Sequence, residues 1–365
     1  MKRSFFSPHE RALVSLCAPT PPSKGEIFFS DMSPLREQIE ALDDILLSQR
    51  MAAMFVWRTE QENTTKRRDV FAKALFSELS KEQQKRLKSA YMSAWVGMTF
   101  RKKEVTSLVT SLEAQGIPVL LYKGIAYNRT LYQEPHLRTM SDIDLIIPPQ
   151  DVEKAHTLLE SMDYKYAGNE HPAERLYIHT EHKLHLDLHF HTQRPHQSNL
   201  KREELFSSPV LTSDGFKKFP ETWEFLFHIY HQCKHVFHPS EVRLLSYLEL
   251  RELYLRVVPK WDEVVSFAHK WEMKKLLACG LWILDELSPG LVSPEHKVLS
   301  CPLYLKQLIH TLRYTEPEDS YLFSKLSYKA LYNLFLLSFI DNHSKQRKYI
   351  RMRLRSFAER LAAGR

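Results

Sequence analysis

At 365 residues and 43.1 kDa the chain exceeds a single small core and predicts two or three packed regions. Its 43 % hydrophobic and 26 % charged residues exclude a disordered, collagen-like or transporter-like chain, and 9 Gly against 19 Pro disfavours a glycine-rich phosphate loop. Lys and Arg total 51 against 44 Asp and Glu, a net +7 that invites a nucleic-acid or membrane reading until the charge is located.

The first thirty or so residues, with Pro19, Pro21 and Pro22, read as an arm. Met1-Lys2-Arg3 is followed by Ser7, Pro8, His9, Glu10 and Arg11, which interrupt any apolar run, so no signal peptide is read. Leu35 to Met54 has apolar residues at helical spacing (Ile39, Leu42, Ile45, Leu46). Ser80-Lys81-Glu82-Gln83 is a capping box. The helix it opens runs through Leu87, Tyr91, Trp95, Leu108 and Leu112 to Gly116, with Pro118 beyond.

From Ile117 the period shortens. Val119 to Tyr122 is a buried strand, Gly124 to Tyr132 a short helix, Asp142 to Ile147 a strand and Asp151 to Met162 an amphipathic helix. Leu176 to Ile178 and Leu184 to Phe190 are further strands, and a polar link over Gln193 to Arg202 returns the chain to helices. The expected fold is α+β: a small mixed sheet of four or five strands flanked by helices, with helical N- and C-terminal regions. The expected divisions are 1–115, 116–200 and 201–365.

Cys17, Cys233, Cys279 and Cys301 form no Cys-x-x-Cys pair, which fits a reducing compartment. The most apolar run, Ala330 to Ile340, contains Asn333 and Ser338 and is about half the ~20 residues of a spanning helix. A cytoplasmic protein is therefore expected.

Two strands carry the chemistry. In Ser141-Asp142-Ile143-Asp144-Leu145 the two carboxylates share one strand face, while Ile143 and Leu145 share the other. Like charges side by side repel, and a divalent cation between them removes the objection. In Leu184-His185-Leu186-Asp187-Leu188-His189-Phe190-His191 the leucines take one face, and Asp187 with its histidines the other. Asp187 becomes a third carboxylate if the two strands are neighbours, which is what two-metal phosphoryl transfer requires. Two other readings stand beside this one. One reads the acidic pair as a solvated strand face, and the other reads His-x-Asp-x-His as a polar face or a zinc site.

Upstream, Leu120-Leu121-Tyr122-Lys123-Gly124 is a strand running into a helix start, where backbone N–H groups favour an anion and Lys123 adds charge. Arg138, four residues before Asp142, offers a planar donor for a triphosphate. The plainer readings are a solvated Lys123 and an Arg138 paired with Glu134.

The run Leu121-Tyr122-Lys123-Gly124, then Leu131-Tyr132, Arg138, Ser141-Asp142-Ile143-Asp144-Leu145 and Leu186-Asp187-Leu188-His189, resembles the uncharacterised nucleotidyltransferase family of the DNA-polymerase-β-like superfamily. His231-Gln232-Cys233-Lys234-His235 is similar to that family's His-x-x-Lys-His. The resemblance covers roughly residues 80–290. It implies Asp142 and Asp144 as metal-binding carboxylates and Asp187 as the third, which activates the acceptor. Lys123-Gly124 stands where many superfamily members have Gly-Ser. The expected nucleotide-binding residues are Lys123, Gly124, Arg138, Ser141, His189, His231, Lys234 and His235. His231 and His235 share a helix face with His228 and His238 nearby, which fits either closure over a nucleotide or a polar seam between regions. The implied activity is Mg²⁺- or Mn²⁺-dependent transfer of a nucleoside monophosphate from an NTP to an acceptor (RNA, protein or small molecule), with release of pyrophosphate. The alternative is a non-catalytic nucleotide-sensing or partner-binding protein on the same fold.

Finally, the charge has an address. Lys345 to Arg365 contains eight basic residues and a single acid, Glu359, so the rest of the chain is formally neutral. Ile350, Leu354, Phe357 and Leu361 form a helical stripe there. The segment is either a docked helix with a solvated basic back or a contact for RNA or another polyanion.

Overall fold

The computed structural model describes residues 5–21, 33–61, 66–168, 173–193, 197–235, 243–307 and 337–362, with the side chains of 234, 235, 298 and 353–362 outside the description. Part of the segment read as an arm is a helix, α1 (Pro8–Cys17). It opens on a capping box, in which the Glu10 N–H donates to Ser7 Oγ at 3.3 Å and the Ser7 N–H to Glu10 Oε2 at 2.8 Å. Its Leu13, Leu16 and Cys17 are buried, and Phe5 and Phe6 just before it meet Tyr247 edge-on.

The helical pattern over Leu35–Met54 is realised in pieces: α2 (Ser33–Arg36), a 3-10 turn at Ile39–Ala41, α3 (Leu42–Ser48) and α4 (Ala52–Thr59). The break between the last two falls at Arg50, whose φ is 59°. After α5 (Arg67–Glu78), α6 (Lys81–Ala114) starts at the Ser80–Gln83 capping box and ends before Gly116, whose φ of 72° suits a residue without Cβ.

The central segment supplies β1 (Leu120–Leu121), α7 (Gly124–Thr130), β2 (Asp142–Ile146), α8 (Val152–Ser161), β3 (Tyr164–Tyr166), β4 (Glu174–His179) and β5 (His185–His189). Two short strands follow, β6 (Val210–Leu211) and β7 (Lys217–Lys218). The sheet is mixed, as expected, and has seven strands in the order β3-β4-β5-β2-β1-β7-β6. The pairs β2–β5 and β1–β7 are parallel and the others antiparallel. It exceeds the expected four or five strands because β3, β6 and β7 are two or three residues long, too short to show alternation.

The C-terminal helices are α9 (Glu221–His235), α10 (Leu244–Val257), α11 (Trp261–Lys270), α12 (Lys274–Leu287) and α13 (His343–Ala362). Trp223, Phe227, Phe267 and Trp271 stack between α9 and α11, with ring centroids 4.9–5.7 Å apart. Gly280 lets α12 approach α9, because a Cβ there would stand 2.6 Å from Ile229. Asp341 accepts from the Lys274 and Lys275 N–H groups at 2.7 and 3.3 Å, which joins the entry of α13 to the start of α12. In α13 itself Tyr349 is buried and Ile350 is 40 % exposed, so the docked edge runs one residue off the expected stripe. Leu354, Phe357 and Leu361 lie outside the described side chains. One continuous apolar core extends from Phe5 through the sheet to Tyr349. Among the described residues no helix is long and apolar enough to cross a membrane.

Candidate functional site

Parallel pairing of β2 with β5 sets Asp144 directly opposite Asp187, and Asp142 opposite His185. The intervening Ile143, Leu145, Leu186 and Leu188 are fully buried on the other face, so the hydrophobic alternation fixes which way the acids point. Burial, then the charge of Asp144, pushes the Asp187 carboxyl up to about 6. Burial also acts on Asp144, but Lys123 and His189 outweigh it and hold that carboxyl at about 2. Lys123 Nζ donates to Asp144 Oδ1 at 2.9 Å, and His189 Nε2 lies 2.8 Å from the same oxygen. The other ring nitrogen of His189, Nδ1, is 3.0 Å from Glu174 Oε2. Burial and Lys123 both disfavour the imidazolium, yet these two carboxylates prevail and raise the His189 pKa.

The donor atoms of Asp144, Asp187 and His189 all lie within 4.8 Å of one another. The Lys123 ammonium is a cation already held at two of the three, 2.9 Å from Asp144 Oδ1 and 3.5 Å from His189 Nε2, and two carboxylates with an imidazole are donors that suit a divalent ion. Asp142 lies outside the trio, and its Oδ1 accepts from Ser141 Oγ at 3.2 Å. His185 is exposed, and His191 is half-buried with Nδ1 accepting from the Gln193 N–H at 2.9 Å. Burial depresses His191 to about 4. Neither histidine joins the trio.

Lys123 has φ 47° and ψ −125°, a conformation that residues with a Cβ rarely adopt. This backbone folds the lysine onto Asp144 while Gly124 opens α7. A Cβ at Gly124 would stand 2.4 Å from Arg138 Nη1, so the guanidinium lies directly on the glycine. Arg138 does not pair with Glu134. Its Nε donates to Glu249 Oε1 at 2.6 Å and its Nη2 reaches Oε2 at 3.4 Å, while Tyr132 OH donates to Oε1 at 3.2 Å. Its guanidinium is thus largely committed to α10.

Lys123, Asp142, Asp144, Arg138 and Glu249 border a cleft of about 320 Å³, which Arg50, Arg243, Ser141 and His231 also line. Sequence reasoning missed Arg50, Arg243, Glu174 and Glu249. Arg50 is placed by the break between α3 and α4, and its Nη2 donates to Ser141 Oγ at 3.3 Å. Arg243 Nη1 donates to Ser48 O at 2.7 Å. Burial, then the neighbouring Arg243, lowers the Arg50 pKa, so cations crowd at this wall. Of the histidine face, His228 is buried and its Nε2 donates to Ser246 O at 2.8 Å, as in a polar seam. Lys234 and His235 belong to the last turn of α9, with side chains outside the described set, and His238 lies outside the described residues.

The family described as "Uncharacterised nucleotidyltransferase" matches residues 40–289. No curated protein matches the chain. Two solved structures are similar to part of it. One is the solution structure of the antibiotic-resistance factor ANT(2'')-Ia, at 12 % identity and TM-score 0.36, covering 47 % of this chain and 92 % of that one. The other is the crystal structure of ANT(2'')-Ia with adenylyl-2''-tobramycin, also at 12 % identity and TM-score 0.36, covering 46 % and 96 %. With more than half of its length matched, the chain belongs to the uncharacterised nucleotidyltransferase family.

Proposed function

We propose that the protein transfers a nucleoside monophosphate from an NTP to an acceptor hydroxyl or other nucleophile. The observation that carries this reading is the opposition of Asp144 and Asp187 on parallel strands, beside a cleft walled by Arg50, Arg138 and Arg243. The acceptor atom bonds to the α-phosphorus, the bond from that phosphorus to the bridging oxygen breaks, and pyrophosphate leaves. Asp187 orients the acceptor and takes its proton. Lys123, Ser141 and His231 at the cleft are further polar contacts for the phosphates, while Gly124 is the residue that gives the Arg138 guanidinium its place beside Lys123. Asp142, Asp144 and Asp187 are the acids proposed to hold Mg²⁺ or Mn²⁺, which when bound neutralises charge on the transferring and leaving phosphates. Arg50 and Arg243 are proposed as triphosphate donors alongside Arg138.

Full-length protein incubated with each NTP labelled at the α-phosphate, a divalent cation and cell extract tests the reading. Label should move to an extract component identifiable by mass spectrometry, and Asp144→Ala or Asp187→Ala should abolish transfer. NTP binding without transfer would favour the nucleotide-sensing alternative. Transfer that survives both substitutions would sink the assignment.

A further inference from the structure

His189 is the member of the acidic cluster that an all-oxygen magnesium site does not call for. It follows Asp187 by two positions on β5, so both side chains leave the same face of the strand. The ring is 2 % exposed and held at both nitrogens, with Asp144 Oδ1 2.8 Å from Nε2 and Glu174 Oε2 3.0 Å from Nδ1. Glu174 reaches it from β4, where it pairs in register with His189 itself. A metal-ligating histidine characteristically gives its second nitrogen to a carboxylate, which fixes the tautomer and aims the ring. Here that arrangement is already built. The Lys123 ammonium marks the position a cation takes, 2.9 Å from Asp144 Oδ1 and 3.5 Å from His189 Nε2.

We propose that the cation at this site is bound through His189 Nε2 together with Asp144 and Asp187, that Glu174 is the positioning residue for the ring, and that the site consequently prefers first-row transition dications to Mg²⁺. The inference deepens the nucleotidyl-transfer reading, on which it rests for the purpose of the metal but not for its binding. Mg²⁺ is a hard ion that keeps oxygen ligands and several waters. Replacing one oxygen by an imidazole nitrogen weakens its hold, while transition dications gain a donor they accept readily. Glu174 touches neither cation nor nucleotide in this arrangement; it acts through the ring.

The test uses chelator-stripped full-length protein without nucleotide, with Mn²⁺ as the probe. Loss of the free-ion signal in electron paramagnetic resonance gives the Mn²⁺ affinity, and competition gives that of Mg²⁺. Mn²⁺ should bind at least about tenfold more tightly, and Glu174→Gln should weaken Mn²⁺ by about ten- to a hundredfold. His189→Ala should bring the two affinities together. Because a buried residue is removed in that variant, pulsed resonance on the wild type supplies a reading that needs no substitution: the bound Mn²⁺ should couple to an imidazole ¹⁴N. Equal affinities for the two ions, no ¹⁴N coupling, or a Glu174→Gln protein that folds and binds Mn²⁺ unchanged would each overturn the proposal. Tight, nitrogen-coupled Mn²⁺ without label transfer would leave it standing and remove the transferase reading instead.

Discussion

Arg138 and Glu249 form a two-pronged ion pair between the loop preceding β2 and helix α10, with side chains 13 % and 2 % exposed. The pair fixes the guanidinium on Gly124 and ties the C-terminal helices to the sheet at the cleft. Breaking a buried pair from one side leaves the other charge uncompensated, which costs far more than the net worth of the pair. Glu249→Ala should therefore lower stability by about 3–5 kcal/mol in urea denaturation, and Glu249→Gln, which keeps an acceptor, by clearly less. Equal small losses from both would show that Arg138 finds another partner.

Gly124 is constrained by what lies on it rather than by its backbone. An added Cβ would meet Arg138 Nη1 at 2.4 Å and Cζ at 2.7 Å. An ordinary arginine would swing away, but this one is held by Glu249. Gly124→Ala should cost about 1–3 kcal/mol of stability. In the Arg138→Ala background the same change should cost almost nothing, because neighbouring sites are not additive. Denaturation of the two single variants and the double variant reads this coupling directly, and full additivity would contradict it.

How much of this was legible depends on sequence range. That Asp144 and Asp187 share one sheet face followed from strand alternation plus one assumption of adjacency, because Ile143, Leu145, Leu186 and Leu188 left no choice of face, whereas the parallel direction and register did not. The helix α1 was equally local: Ser7 and Glu10 wrote its cap, but the prolines after it drew attention to an arm. Arg50, Arg243 and Glu249 were not legible, since each reaches the cleft through tertiary packing and has no motif around it. Glu174 stands fifteen residues before His189 and meets it only through antiparallel pairing. Lys123 was visible as a cation, but not as a residue in a glycine-like turn that delivers its ammonium to Asp144.

That delivery has a consequence for the metal-free protein. Asp144 faces Asp187 across the strands, and the Lys123 ammonium is bonded to it beside the His189 ring. Lys123→Met removes the charge while keeping much of the side-chain volume. In a chelating buffer the variant should lose about 3 kcal/mol. Saturating Mn²⁺ should raise its melting temperature more than that of the wild type, because in the variant the ion replaces a missing charge rather than displacing a lysine. A Mn²⁺-induced shift no larger than that of the wild type would refute the stand-in role.

A second buried pair, two strands along the sheet from β2, sets a pH dependence of stability. Lys218 on β7 donates to Glu224 Oε2 on α9 at 2.7 Å, with the two side chains 5 % and 3 % exposed. Glu224 Oε1 is buried and has no hydrogen-bond partner among the described residues. Burial outweighs the lysine and pushes the Glu224 carboxyl up from 4.5 to about 7. Because the folded value lies above the unfolded one, the folded state holds a proton that the unfolded state has released between those limits. Stability from this group is thus complete below about pH 4.5 and is lost as pH rises to about 7, at up to roughly 1.4 kcal/mol per pH unit. Glu224→Gln removes the titration but keeps the shape, so its urea midpoint should change less than that of the wild type between pH 5 and 7. Superimposable pH profiles for the two proteins would show that Lys218 keeps Glu224 ionised, and that the ion pair outweighs burial.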